Sequence, residues 1–254
     1  MHGLASVDPT LFRELQLAPG QRVLDLGCGS GEPTLSIAQL VGPRGAAVGI
    51  DVAPEMIEIA KRRAKNREIR NVRFRVGDMS RLPATGPRPH RVVSRFGVMF
   101  VKDVPEMLAG LRRVLRPGGR IAFSVWGPAE KNPMFTTFAQ AIAPYLKRLP
   151  GNPEELPHPM RFARRGRLER LLRAAGFRGI RTTAVHTELM YPRVDDYLGA
   201  RIDNLHGEML ELYRSLSRAD RGRVLERMRR GIGRFRSGAV IRCPGFAWVV
   251  SARR

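Results

Sequence analysis

The stretch from Arg22 to Pro33, RVLDLGCGSGEP, constrains this chain more than any other. Val23, Leu24 and Leu26 form a short apolar run around Asp25, and Gly27, Gly29 and Gly31 alternate after it. Leu35, Ile37 and Ala38 then recur at helical spacing. The pattern predicts a buried strand, a glycine turn and a helix from about Glu32 to Val41. Three closely spaced glycines let the backbone bend sharply and approach a ligand, because no Cβ intervenes. The helix that follows turns its free N–H groups and positive dipole end toward that ligand. A glycine turn alone also occurs in any α/β domain, so its meaning depends on what comes next.

What comes next repeats the theme. Ala46 to Ile50 reads as a second buried strand, ending in Asp51. An acid at that place in a nucleotide-binding sheet can accept both hydroxyls of a ribose. Val72 to Val76, VRFRV, alternates as a half-exposed third strand and leads to Gly77-Asp78-Met79. Arg91 to Phe96 makes a fourth strand. Asp103-x-x-Glu106, with Pro105 in the first turn, opens a helix that Pro117-Gly118-Gly119 closes, and Ile121 to Trp126 is a fifth strand. Strand and helix units with acids or glycines at successive strand ends predict a doubly wound parallel sheet whose ligands bind at that edge. Ahead of it, Thr10 to Leu17 is an amphipathic segment expected to lie over the start of the domain.

The second half is less regular. Asn132-Pro133 begins an amphipathic helix through Phe135 and Phe138, Leu168 to Ala175 marks another, and Ile180 to Met190 reads as a sixth strand. About 45 residues then intervene before a last strand from Val240 to Ser251. They read as two helices, one through Leu205, Met209, Tyr213 and Leu216, the other started by Ser217-x-x-Asp220 and carrying Val224, Met228 and Ile232.

The motifs VLDLGCGSGEP, GIDVAPEM, VGDMSRLP and LRPGGRIAFSVWG, in that order, resemble those of class I S-adenosylmethionine (SAM)-dependent methyltransferases, in particular the small-molecule enzymes related to ubiquinone and menaquinone biosynthesis. The resemblance implies a Rossmann-like, doubly wound, seven-stranded sheet with its last strand antiparallel and an inserted helical lid. One domain would span residues 1–254, with a SAM-binding core at 20–127 and lid elements at 129–176 and 193–236. By the same resemblance, Asp25 belongs to the cofactor motif, Gly27, Cys28 and Gly29 approach the methionine part of SAM, and Asp51 takes the ribose. Val52 and Met56 flank the adenine, Asp78 and Met79 hold its amino edge, and the Arg95-Phe96 backbone runs under the methionyl group. The family's acid just before the fourth strand is replaced here by Arg91.

Methyl transfer asks a protein mainly to align a nucleophile in a water-poor pocket. His206 is the candidate base, with His186 as another, and Met99, Phe100, Trp126, Phe135, Tyr197 and His206 are candidate acceptor contacts suited to a flat hydrophobic molecule. After the fourth strand, Ser94-Arg95-Phe96-Gly97 stands where methyltransferases of nucleic-acid bases carry an Asp/Asn-Pro-Pro-Tyr type motif. The cysteines used by arsenic methyltransferases are missing, since Cys28 and Cys243 stand alone, with neither disulfide nor metal-ligand spacing. The expectation is a methyltransferase acting on an O, C or N atom of a small organic acceptor. An RNA methyltransferase on the same fold and a SAM-binding enzyme of another reaction type remain open, and the glycine spacing speaks against a dinucleotide oxidoreductase. The net charge of +22 is spread along the chain and carried almost wholly by arginine, which suits nucleic acid, an acidic small substrate or a bias in composition alike. Without an apolar run of membrane-spanning length or a signal-like start, a cytoplasmic protein with no metal is expected. No pattern fixes the oligomeric state; a homodimer is compatible.

Overall fold

The computed structural model describes residues 3–82, 87–146, 152, 154–155, 157–203, 205 and 207–254. The five apolar runs of the first half become β1 (Arg22–Leu26), β2 (Ala46–Asp51), β3 (Val72–Val76), β4 (Arg91–Arg95) and β5 (Arg120–Trp126). They pair in parallel in the order β3-β2-β1-β4-β5. The chain therefore winds outward from β1 to β3, then returns to start β4 on the other side of β1. That reversal opens a crevice at the carboxyl ends of β1 and β4.

Helices α1 (Asp8–Leu15), α2 (Thr34–Val41) and α3 (Pro54–Asn66) cover one face. Leu11 and Leu15 of α1 and Ile37 and Val41 of α2 are fully buried against Val23, Val93, Ala122 and Val249 of the sheet. Ile57 and Ala60 of α3 pack with Leu35 and Phe74. On the opposite face, Met107, Leu108 and Leu111 of α4 (Val104–Val114) and Leu168 and Leu172 of α6 (Arg167–Ala174) join Val92, Ile121 and Phe123 in the largest core. The cap expected for α4 is present: Asp103 accepts a hydrogen bond from the Glu106 N–H at 2.9 Å. Helix α2 starts at Thr34, two residues later than expected. Pro33 disfavours helical backbone at the residue before it, so Glu32 belongs to the turn.

Beyond α5 (Pro133–Ile142) and α6, the sheet is completed by β6 (Arg178–Tyr191) and β8 (Val240–Arg253). β8 runs antiparallel between β5 and β6. Both strands are longer than the apolar pattern indicates, because ladder pairing continues from Arg178↔Arg253 to Tyr191↔Ile241. A two-residue strand, β7 (Arg236–Ser237), folds back on β8 and raises the expected seven strands to eight. Among the described residues the insertion between β6 and β8 holds three helices where two were expected: α7 (Val194–Asp203), α8 (Gly207–Ser215) and α9 (Arg218–Gly233). Gly207, at φ +56°, takes a left-handed backbone that breaks the run. The second cap behaves as expected, Ser217 Oγ accepting from the Asp220 N–H at 3.0 Å. These helices close over the largest core through Tyr197, Leu198, Tyr213, Val224, Met228 and Ile232. Among the described residues no helix is long and apolar enough to cross a membrane.

Candidate cofactor and acceptor site

The glycine turn after β1 is tied to the end of β2. The N–H groups of Gly27 and Cys28 both donate to the Ile50 carbonyl, at 2.8 and 3.0 Å. Gly29 N–H donates to Asp51 Oδ2 at 2.8 Å, and Ala53 N–H donates to Oδ1 at 3.0 Å. A carboxylate has about four acceptor positions, so each Asp51 oxygen keeps one for a ligand. Gly27, at φ +71°, lies so close to Met79 that a Cβ would come within 2.9 Å of the methionine methyl. At Gly29 a Cβ would meet open space, so its left-handed backbone (φ +52°) rather than crowding calls for glycine. The Cys28 thiol is buried, and burial, reinforced by Asp25 and Asp51, raises its pKa far above that of a free cysteine. Its backbone faces the turn; its sulfur is no nucleophile.

Beneath the turn lies a layer the sequence does not announce. Asp25 is 1% exposed, accepts from the Thr34 hydroxyl at 2.5 Å through Oδ2, and leaves Oδ1 buried without a partner. Burial pushes its pKa up to about 7, against the opposing hydrogen bond from Thr34 and the charge of Arg95. Asp25 thus holds the start of α2 under the turn. The Arg95 side chain crosses the same layer, donating to Asp8 Oδ2 of α1 and to the Glu32 carbonyl, each at 2.8 Å. Asp8 rises to about 6 in spite of this ion pair, because burial outweighs the attraction of Arg95. α1, the glycine turn and β4 are therefore joined through one guanidinium.

The other wall begins where β4 ends. Phe96 adopts a left-handed backbone, at φ +57°, and its N–H donates to the Ser124 carbonyl at 3.1 Å. Its ring stacks on Trp126 with centroids 4.1 Å apart and planes 13° apart, and Trp126 meets Phe135 edge-on at 5.3 Å. Gly97 allows this loop to pass β1: a Cβ there would lie 2.7 Å from Ser94 Oγ and 2.9 Å from the Leu26 carbonyl. On the β2 and β3 side, Val52 and Met56 are 65% and 42% exposed, large apolar side chains left uncovered beside Asp51. Asp78 is exposed, and the Ser80 backbone N–H at 2.8 Å keeps its carboxyl below the ordinary range, hence ionised.

The candidate acceptor residues fall into two sets. Trp126 and Phe135 line up with Phe96 from the crevice toward the lid, whereas Met99 and Tyr197 are fully buried in the core between lid and sheet. Phe100 is exposed in the turn after β4. Asn132 roots α5, its amide donating to the Gly127, Pro128 and Phe246 carbonyls and accepting from the Phe246 N–H. His206 lies outside the described residues. His186 is exposed on edge strand β6, against Phe246. Sequence reasoning missed two residues. His158 donates its backbone N–H to the Met99 carbonyl, which brings it to the β4 loop. Its Nδ1 accepts from Met160 N–H, so Nε2 bears the proton of the neutral ring. Arg201 of α7 lies over the Phe135 ring at 5.0 Å with its Nε buried and unpartnered. The Tyr191 hydroxyl, raised to about 12 by burial, is likewise buried without a partner, and the buried Thr137 hydroxyl lies beside that of Tyr197. The only sequence signal of Arg201 and Thr137 is polarity within the apolar faces of the lid region.

A family model described as "Methyltransferase domain" matches residues 17–148, just over half of the chain. An arsenite methyltransferase of Halobacterium salinarum is 38% identical over 122 residues, covering 48% of this chain and 31% of the relative. A demethylmenaquinone methyltransferase of Lactobacillus johnsonii is 27% identical over 184 residues, 69% of this chain and 75% of the relative. The chain thus spans about a third of the first relative's length and three quarters of the second's. The YcgJ protein of Bacillus subtilis has the same fold, with a TM-score of 0.61 at 17% identity over 98% of this chain and 97% of that one.

Proposed function

Since the chain belongs to the class I SAM-dependent methyltransferase family, we propose that it transfers the methyl group of SAM to an O, C or N atom of a small, flat organic acceptor of quinone or natural-product type. The observation that carries this reading is the file of rings from Phe96 through Trp126 to Phe135, which starts at the glycine crevice and ends under the lid. The demethylmenaquinone relative supports the acceptor class. An arsenic substrate is disfavoured because both cysteines are buried, far apart and hold no third thiol partner.

The residues suit the cofactor. Gly27 and Gly29 leave room for close backbone approach, Asp51 has two free acceptor positions for a diol, and Val52 and Met56 offer uncovered apolar surface for a purine. Bound SAM would supply an electrophilic methyl group on a sulfonium, open to in-line displacement by an acceptor nucleophile. The protein's part is alignment and exclusion of water. Asp51 and the glycine turn fix one end of the donor, and Phe96 and Trp126 form an apolar wall at the other. Arg201, Tyr191 and Thr137 provide the polar groups that would orient oxygen substituents of an aromatic acceptor. An acceptor that arrives as a phenolate or enolate needs no base.

The test is incubation with methyl-labelled SAM and a panel of hydroxylated quinones and polyketide-like aromatics. Label in a small-molecule product together with S-adenosylhomocysteine is expected, and Phe135→Ala should raise the acceptor KM with little change in SAM affinity. SAM binding with no demethylated product over the whole panel would point to a different reaction type, and label recovered only in RNA would overturn the acceptor class.

A further inference from the structure

At the edge of the sheet opposite the cofactor crevice, pairing register brings together four arginines that are far apart in sequence. Arg91 opens β4 and is paired with Arg120, which opens β5. Arg120 is paired with Arg253 near the end of β8, and Arg253 with Arg178 at the start of β6. Residues in register on neighbouring strands share a face, and neighbouring strands lie about 4.8 Å apart, so the row crosses roughly 14 Å of one sheet face. It flanks a cavity of about 420 Å³, whose lining includes Gln16, Arg91, Arg120, Arg178, Arg253 and Arg254. A second hollow of about 270 Å³ shares Arg254 and adds Arg112 and Arg113 of α4.

Like charges placed directly opposite on adjacent strands repel, so such a row is unfavourable unless something neutralises it. Among the described residues no ion pair does so. Among the described residues, no acidic side chain lies within 4.0 Å of the guanidiniums of Arg91, Arg120, Arg178, Arg253 or Arg254. Glu14 of α1 faces the same side of the sheet, but it is held by Ser251 Oγ at 2.8 Å and forms no ion pair with these guanidiniums. Elsewhere the arginines of this arginine-rich chain do find acids: Arg95 with Asp8, Arg167 with Glu154, Arg229 with Asp195 and Arg242 with Glu188. Among the described residues the Arg91 guanidinium bonds only the carbonyls of His90 and Gln16, and its Nε is buried with no partner. Its pKa is lowered first by burial, then by the charges of Arg120 and Arg116.

We propose that this row is a binding site for a linear oligophosphate, the chemistry shared by inorganic polyphosphate and the tail of a nucleoside triphosphate. Guanidinium forks match phosphate oxygens in paired hydrogen bonds. A single phosphate cannot meet four guanidiniums spread over such a length, whereas two to four linked phosphates follow the row. Arg91 opens β4 and Phe96 follows its last residue, so this site is separate from the cofactor crevice.

Inorganic tripolyphosphate is the probe. Calorimetry at low ionic strength compares it with orthophosphate, on the wild type and on the double variant Arg120→Gln/Arg253→Gln, with SAM titrated into both. Tripolyphosphate should bind the wild type one to one and far more tightly than orthophosphate. The double variant should lose about a hundredfold, tenfold for each charged hydrogen-bonding partner removed. Its SAM affinity should be unchanged and its melting temperature equal or higher, since repulsion is relieved; a melting temperature that falls would make the arginines structural and overturn the proposal. Equal tripolyphosphate affinity in both proteins, no binding to the wild type, or binding of long RNA alone would also overturn it. An arm with a nucleoside triphosphate separates the sources: tighter binding than tripolyphosphate, lost equally in the variant, assigns the site to nucleotides, and equal binding assigns it to the phosphate chain itself.

Discussion

Replacing Asp51 with alanine tests the cofactor assignment most directly. The carboxylate accepts from Gly29 N–H at 2.8 Å and from Ala53 N–H at 3.0 Å, and in the proposed complex it also accepts both ribose hydroxyls. Hydrogen bonds to a charged group contribute about 1.5–3 kcal/mol each. Two ribose bonds at the lower figure sum to about 3 kcal/mol, which is roughly a hundredfold in Kd. The two protein N–H groups lie at a partly exposed turn where water can replace the carboxylate, so the fold should lose only about 1–2 kcal/mol. Calorimetry with SAM and S-adenosylhomocysteine reads the affinity, and thermal melting reads the fold. A second ligand separates direct contact from loosening of the turn: the 2′,3′-dideoxy analogue of S-adenosylhomocysteine should bind the wild type far more weakly than the parent compound, and both should bind Asp51→Ala alike. A variant whose SAM affinity stays within about threefold of the wild type, or that still discriminates the dideoxy analogue, would refute the ribose role.

Two further outcomes follow from the layer under the turn. Arg95→Ala leaves Asp8 buried without its counter-charge and frees the Glu32 carbonyl, at a cost of about 3 kcal/mol. At about 2–4 °C per kcal/mol for a chain of this size, the melting temperature should fall roughly 6–12 °C, and Arg95→Lys should not restore it because a single ammonium cannot span both acceptors. Asp25 tests the pH dependence. Its folded pKa of about 7 lies above the unfolded value of 3.8, so the folded state holds the proton more tightly, and stability declines as pH rises between those two values. Asp25→Asn lacks that decline while keeping an acceptor for Thr34. Its melting temperature relative to wild type should therefore rise from pH 5 to pH 8, and a constant difference across that range would exclude a buried, titrating Asp25.

The parallel half of the fold was legible because each strand is a short apolar run closed by a residue with its own physical demand: Gly27, Asp51 and Asp78 at strand ends, Gly118 and Gly119 at a turn. Helix starts at Asp103 and Ser217 were legible through their caps. The family resemblance and the doubly wound sheet followed from these local signals. What escaped depends on contacts between distant residues. The backbone at Arg95 drew notice, yet its side chain is engaged by Asp8 across 87 positions. Asp25 resembles a ligand residue in sequence, but burial by α2 sets it under the turn. The break at Gly207 was invisible because apolar spacing continues through Leu205 and Met209 while the backbone does not. The arginine row could not be read at all, since it exists only in the register of four strands.

The long ladder between β6 and β8 carries a consequence for how such a chain can change. Tyr191 and Ile241 are paired on its last rung, so the segment holding α7, α8 and α9 leaves and re-enters the sheet at points one strand spacing apart. The whole helical insertion is thus a cassette plugged into a hairpin. Side chains of this stretch that stay clear of the shared core can change without altering the strand order, the glycine turn or the acids at the strand ends, whereas Tyr197, Val224, Met228 and Ile232 are tied to that core. Under the proposed function, the acceptor contact at Arg201 can diverge within this one contiguous stretch while Trp126, Phe135 and the cofactor crevice stay as they are, and a chimaera that carries another protein's segment between these two residues tests that division.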